Sequence, residues 1–129
     1  MLRILLLEDN DFDAVLVARE LRGSDLAFEI ERAEDKNSYL ARLGEEFDLI
    51  LADYRLRGHR TGHEAIAAIR ERTGQALPAI IITGDTAADQ LRNVHAGGTA
   101  LLHKPVVPGE LHSAIGALLR GSEWYRVQQ

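Results

Sequence analysis

Short apolar runs alternate along the chain with longer segments in which apolar residues recur at helical spacing. Most of the runs are apolar throughout, as in strands that are buried on both faces. They cover residues 4–7, 26–32, 47–52, 78–83 and 99–103. The helical segments cover residues 10–22, 37–43, 61–72, 86–96 and 108–119. Five strands alternating with five helices predict an α/β protein, in which helices cover both faces of a parallel sheet.

The length and composition indicate one folded domain. A chain of 129 residues can bury a substantial core, and 46% hydrophobic with 27% charged residues is ordinary for a globular protein. We expect this domain over residues 1–120 and a C-terminal tail without clear periodicity over residues 121–129. The apolar run near the N-terminus is too short for a signal peptide or a membrane span, so no membrane insertion is predicted.

Charge and cysteine content exclude several classes of function. The net charge of −5 argues against nucleic acid as the main partner, because phosphate backbones demand a basic face. The chain has no cysteine, which excludes disulfides, thiol catalysis and zinc–thiolate sites. A chain without cysteine fits a reducing compartment, and we expect a cytoplasmic location.

Reactive side chains stand at the carboxyl ends of the predicted strands. Glu8 and Asp9 follow the first strand, Asp53 the third and Lys104 the fifth, while Thr83 ends the fourth. In a parallel sheet of this kind the ligand site lies beyond the carboxyl ends of the strands. We therefore expect three carboxylates, a hydroxyl and an ammonium to meet at one edge of the sheet.

This set of groups favours phosphoryl chemistry. Clustered carboxylates repel each other unless a cation compensates them, and Mg²⁺ prefers oxygen ligands. With Mg²⁺ beside it, Asp53 can act as a nucleophile toward phosphorus. Lys104 can neutralise a transferred phosphoryl oxygen, and Thr83 can donate a hydrogen bond to another.

Four short motifs lie at these strand ends. They read LLLEDN at residues 5–10, LADYRL at 51–56, IITG at 81–84 and HKP at 103–105. Over nearly its whole length the chain resembles the receiver domain of two-component response regulators. The resemblance implies a flavodoxin-like (βα)5 doubly wound sandwich, with a five-stranded parallel sheet in the order 2-1-3-4-5.

The resemblance also implies a role for each acidic residue of the cluster. Asp53 is implied as the phosphoacceptor, which takes a phosphoryl group from a phosphohistidine of a histidine kinase. Mg²⁺, or Mn²⁺ in its place, is implied as the cofactor, with Glu8, Asp9, Asp53 and the backbone carbonyl of Arg55 as its ligands. The isolated domain is then a signalling switch that dephosphorylates itself slowly, rather than an enzyme.

Further positions are implied by the same resemblance. Thr83 and Lys104 form the phosphoryl-binding pair, and the bond between Lys104 and Pro105 is cis. Arg55 and Asp85 flank the phosphoryl group and influence its hydrolysis, and we predict that these two side chains pair across the mouth of the pocket. Phosphorylation is expected to shift the face made of the fourth helix, the fifth strand and the fifth helix, through which members of the family can form homodimers.

The chain departs from the family pattern at two positions. Leu101 occupies the switch position, where receivers usually carry a Tyr or Phe ring that turns inward on activation. An aromatic switch is therefore absent, which argues against output through that face. Arg57 replaces the usual proline of the loop after the acceptor. A finer similarity, in residues 53–58 and 101–106, is to receivers at the C-terminus of hybrid sensor histidine kinases, from which the chain can be an excised domain.

Two other functions fit parts of the pattern. Phosphatases of the haloacid-dehalogenase type also use an aspartyl nucleophile and Mg²⁺, but they need a second Asp where Arg55 stands. The alternative that stays open is a phosphorylation-independent interaction module, which the leucine at position 101 would suit.

Local alternatives for the polar residues are weaker. The spacing of Asp9, Asp11 and Asp13 is similar to the start of a calcium loop, but Ala14 stands where that loop needs glycine. We expect Asp11 and Asp13 instead to cap the first helix and to occupy its first turn. His59 and His63 have a metal-binding spacing, but their loop context favours surface histidines.

Overall fold

The computed structural model describes residues 2–23, 27–55, 61–84, 98–104, 106 and 109–120. The strands in this part of the chain are β1 (Leu2–Leu7), β2 (Phe28–Ala33), β3 (Leu49–Asp53), β4 (Ala79–Thr83) and β5 (Thr99–His103). The helices are α1 (Asp11–Arg22), α2 (Lys36–Ala41), α3 (Gly62–Thr73) and a last helix (Glu110–Arg120). The helix predicted at residues 86–96 and the tail at 121–129 lie outside the described residues.

The five strands form one parallel sheet in the order β2-β1-β3-β4-β5, which confirms the predicted architecture. The chain leaves β1 toward β2 on one side and returns to β3 on the other, so the strand order reverses at β1 and β3. Open sheets bind ligands beyond the carboxyl ends of the strands at such a point. The register places Leu7 beside Ala52 and Thr83 beside His103, which brings the ends of four strands level.

Two apolar clusters fill the two faces of the sheet, because successive side chains of a strand point to opposite faces. On one face, Leu5, Leu7 and Ile81 pack with Ala65 and Ile69 of α3. The cluster on the other face joins alternate strand residues to α1 and the last helix, through Ile4, Leu6, Val17, Leu21 and Ile115. Burial on both faces explains why the central strands are apolar throughout.

Local signals set the starts and ends of the helices. Asn10 caps α1, since its side-chain oxygen accepts a hydrogen bond from the Asp13 backbone N–H at 2.9 Å. The cap is therefore Asn10 rather than Asp11, and both acids lie in the first turn. Thr61 caps the start of α3 in the same way, and Gly74 caps its end with φ of +67°, a conformation that favours glycine. No helix in the described ranges is long and apolar enough to cross a membrane.

Candidate functional site

Glu8 follows β1 directly and is almost completely buried, with 3% of its surface exposed. Its backbone N–H donates to the carbonyl of Ala33 at 3.1 Å, which extends the pairing of β1 with β2. Its carboxylate accepts a hydrogen bond from the Asn10 backbone N–H at 3.2 Å. Glu8 is thus held by the strand and by the start of α1, and its carboxyl group has little access to water.

Asp53 ends β3 and is mostly buried beside the start of α3, with 14% of its side chain exposed. Gly62 lies directly behind it: a Cβ atom on Gly62 would overlap the backbone carbonyl oxygen of Asp53 and would also approach the side chain of Ala52 at 3.2 Å. The Gly62 backbone N–H donates to the carbonyl of Tyr54. The close approach of α3 to the end of β3 therefore depends on a residue without a side chain.

The carboxylates of Glu8, Asp9 and Asp53 form one cluster, in which an oxygen from each lies within 4.8 Å of the others. Burial, and then the nearby charge of Asp53, raise the pKa of Glu8 to about 7. Burial also raises the pKa of Asp53, in spite of the nearby Lys104. A cluster of three carboxylates is a donor set that fits a hard divalent cation such as Mg²⁺, which all three residues could hold.

Lys104 brings a cation to the same place from the end of β5. Its Nζ lies 3.0 Å from Asp53 Oδ1 and 2.9 Å from Asp13 Oδ2. Burial alone would lower the pKa of Lys104, but the hydrogen bonds to Asp13 and Asp53 outweigh it and raise the pKa to about 12. The ammonium therefore stays charged between the end of β3 and the first turn of α1.

An open cleft of about 370 Å³ lies over these groups. It is lined by Asp53, Tyr54, Arg55, Thr83, Gly84 and Lys104. Thr83 is buried at the end of β4, and its carbonyl accepts a hydrogen bond from the Lys104 backbone N–H at 2.7 Å. The cleft can hold a group of the size of a phosphoryl group, with a carboxylate, a hydroxyl and an ammonium on its walls.

The structure thus brings together most of the residues that the sequence singled out. Glu8, Asp9, Asp53, Thr83 and Lys104 meet at one sheet edge, and Arg55 lines the cleft with an exposed side chain. Leu101 is partly buried and packs against the cluster on the α3 side of the sheet. The predictions for Asp85, Pro105, Arg57 and His59 fall outside the described residues.

The sequence did not predict the contacts that Asp13 and Arg32 make at the site. Asp13 was expected only in the first turn of α1, yet its carboxylate pairs with Lys104. Arg32, at the end of β2, donates through Nε to the carbonyl of Glu8 at 2.9 Å and through Nη1 to Asp11 at 2.8 Å. The sequence did offer one indication of this role: Arg32 lies near the carboxyl end of the strand that pairs with β1, and β1 is followed by Glu8 and Asp9.

Comparison with known proteins decides the family. A family model of the response regulator receiver domain matches residues 4–116. The chain belongs to this receiver family. Receivers are signalling domains of two-component systems, so this receiver belongs to that kind of signal transduction.

Individual relatives agree with this assignment. The receiver is 30% identical over 126 residues to the transcriptional regulatory protein CpxR of Escherichia coli K12 and to CpxR of Klebsiella pneumoniae. The match covers 97% of this chain and 53% of each relative, so the chain spans about half the length of these curated relatives.

Solved structures show the same fold. The chemotaxis response regulator CheY4 of Vibrio cholerae has a TM-score of 0.75 at 26% identity, covering 92% of this receiver and 99% of that chain. A receiver domain protein of Clostridium thermocellum has a TM-score of 0.80 at 20% identity, with complete coverage of both chains.

Proposed function

We propose that this receiver accepts a phosphoryl group on Asp53 from the phosphohistidine of a histidine kinase, and that the phosphorylated domain shifts its conformation. The observation that carries the proposal is the position of the Asp53 carboxylate. It opens into the cleft, 3.0 Å from the Lys104 ammonium and beside Glu8, Asp9 and Thr83. A carboxylate nucleophile, a fixed cation and a hydroxyl donor are the groups that phosphoryl transfer to an aspartate needs.

The transfer is a displacement at phosphorus. A carboxylate oxygen of Asp53 attacks the phosphorus, a P–O bond forms, and the P–N bond to the donor imidazole breaks. The imidazole nitrogen keeps the electron pair of that bond and is then protonated. Lys104 and Thr83 stabilise the charge on the phosphoryl oxygens during the transfer, because both line the cleft into which the group moves.

Glu8, Asp9 and Asp53 are the side chains that would hold Mg²⁺ or Mn²⁺, with the backbone carbonyl of Arg55 as a further ligand. When bound, the ion supplies positive charge that relieves the crowded carboxylates and neutralises phosphoryl oxygens. The fit rests on the geometry of the cluster, in which one carboxylate oxygen from each of the three residues lies within 4.8 Å of the others, and the raised pKa values of Glu8 and Asp53 agree with it.

The donor protein must cover the rim of the cleft to bring its histidine to Asp53. The first half of α1 adjoins Lys104 on the wall of the cleft and exposes large apolar side chains at positions i, i+3 and i+4 of the helix: Phe12 is 70% exposed, Val15 57% and Leu16 39%. Asp13, in the same turn, contacts Lys104 of the site. We infer that the kinase domain docks on this apolar face.

Several finer features belong to the same proposal. Arg55 and Asp85 are proposed to pair at the mouth of the cleft and to slow hydrolysis of the acyl phosphate. We also propose a cytoplasmic location, as the compartment in which the partner kinase would meet this receiver. A homodimer through the face that includes β5 is proposed as the output, and sedimentation of the phosphorylated chain tests it. The flanking coding sequence would show whether a hybrid kinase carries this domain.

Incubation with a small phosphodonor and Mg²⁺, followed by intact-mass spectrometry, tests the proposal. We expect one phosphoryl group on the wild-type chain, none on Asp53→Asn, and one on the control Asp11→Asn, whose acid is exposed and contacts Arg32 instead. A wild-type chain that gains no phosphoryl group and binds no beryllofluoride would support the phosphorylation-independent interaction module.

A further inference from the structure

Lys104 contacts two carboxylates at once, and one of them lies outside the acidic cluster at the strand ends. Its Nζ donates a hydrogen bond to Asp13 Oδ2 at 2.9 Å and lies 3.0 Å from Asp53 Oδ1. The pair with Asp13 joins the first turn of α1 to the end of β5. The phosphoryl-binding cation therefore has a carboxylate partner that phosphorylation of Asp53 leaves in place.

Both members of this pair are anchored by their own backbones. The Asp13 N–H donates to the capping Asn10 side chain at 2.9 Å, which fixes the first turn of α1. The Lys104 N–H donates to the carbonyl of Thr83 at 2.7 Å, which fixes the end of β5. The two side chains are similarly shielded, with 31% and 30% of their surfaces exposed. The ion pair is thus built into two elements rather than formed by mobile surface groups.

We propose that Asp13 is a positioning residue that competes with the phosphoryl group on Asp53 for the Lys104 ammonium. This inference rests on the proposed function of Asp53. In the unphosphorylated domain the ammonium is shared between the two carboxylates. After phosphorylation the oxygens of the phosphoryl group compete with Asp13 for the Lys104 ammonium. The Asp13 carboxylate also places a second negative charge near the phosphoryl group. Asp13 therefore lowers the stability of the phosphorylated state and limits how fully the domain is activated.

Beryllofluoride, a mimic of the phosphoryl group, measures this competition when its affinity in saturating Mg²⁺ is determined by calorimetry. We expect Asp13→Asn to bind beryllofluoride roughly two- to fivefold more tightly than wild type, the change that corresponds to one partly exposed ion pair. Asp13→Glu keeps the charge and should return the affinity toward the wild-type value.

Asp11→Asn is the matched control, because it removes the same charge from the same helical turn. Asp11 pairs with Arg32 and not with Lys104. A general effect of charge would raise the affinity for beryllofluoride equally in the two variants. Competition for Lys104 instead predicts a higher affinity for Asp13→Asn alone. Denaturation of each variant shows whether the fold is retained.

A double-mutant cycle with Lys104→Ala decides whether Asp13 acts through the lysine. We expect the gain from Asp13→Asn to shrink to that of Asp11→Asn in the Lys104→Ala background. The inference is overturned if Asp13→Asn binds beryllofluoride as wild type does or more weakly, or if its gain persists without Lys104. If the wild-type chain binds no beryllofluoride, the proposed function itself fails, and the competition fails with it.

Discussion

At the scale of single residues, the unusual group is the carboxyl of Glu8. It is buried where β1 meets α1, and its pKa is raised to about 7 by burial and then by the charge of Asp53. An acid in such surroundings is costly for the fold when it is ionised. A divalent cation held by Glu8, Asp9 and Asp53 would offset this cost.

The raised pKa predicts how stability depends on pH when a chelator is present. Below the ordinary value of 4.5, Glu8 is protonated in the folded and unfolded chains, and there is no cost. As the pH rises toward 7, the unfolded chain releases this proton first, so the free energy of unfolding falls until the folded chain releases it too. Urea denaturation at pH 8 should therefore show Glu8→Gln to be more stable than wild type, by on the order of 1–3 kcal/mol.

The difference between Glu8→Gln and wild type should nearly vanish below pH 4.5, where both side chains are neutral. Glu71→Gln, on the exposed part of α3, is the control and should not show this pH-dependent difference. Added Mg²⁺ should stabilise wild type at pH 8 more than Glu8→Gln, because binding to the folded state alone is stabilising. A Glu8→Gln variant less stable than wild type at pH 8 in chelator would contradict the assignment of a buried, costly charge.

At the scale of elements, the contact between β3 and α3 holds Asp53 in place. α3 begins at Gly62, whose backbone lies against the carbonyl of Asp53 and donates a hydrogen bond to Tyr54. A side chain at this position has no space, because the nearest neighbour is the backbone of the strand rather than the end of a flexible side chain.

Gly62→Ala should destabilise the domain by about 1–3 kcal/mol, the usual cost of overpacking, and should also slow phosphorylation of Asp53. Gly116→Ala is the matched control. A Cβ atom there meets nothing within 4 Å, and alanine in the last helix should stabilise by roughly 0.5–1 kcal/mol. Chemical denaturation measures both changes, and equal stability of Gly62→Ala and wild type would show that α3 can move away from β3.

At the scale of the whole molecule, the described surface has an uneven distribution of large apolar groups. Phe12, Val15 and Leu16 are its exposed large hydrophobic side chains, and all three lie in the first half of α1, whose Asp13 contacts Lys104 of the site. Grouped apolar residues at a surface mark interaction sites more often than single ones do. Their position in the helix that contacts Lys104 favours a partner that must reach Asp53.

Phe12→Ala should therefore separate two kinds of phosphorylation. Transfer from a phosphorylated histidine kinase should fall roughly tenfold, as expected when an exposed aromatic anchor is lost. The reaction with a small phosphodonor, which needs no docking surface, should not change. Arg19→Ala, in the last turn of the same helix, is the control for both assays. Equal loss in both assays would mean that Phe12 supports the site itself.

The fold and the main site followed from the sequence because both depend on strong, local signals. Strands buried on both faces are apolar throughout, and the carboxyl ends of parallel strands meet at one edge. Glu8, Asp9, Asp53, Thr83 and Lys104 each stand at such an end, so their convergence was predictable.

The tertiary structure alone decided which partners these groups have. Asp13 and Lys104 are separated by 91 positions, and their side chains meet only because α1 and the last helix pack side by side on one face of the sheet. The pKa of Glu8 likewise depends on burial by distant parts of the chain, as does the close approach of Gly62 to Asp53. Periodicity reports which face a residue occupies, but contacts at hydrogen-bond distance depend on how whole elements pack, which no local pattern specifies.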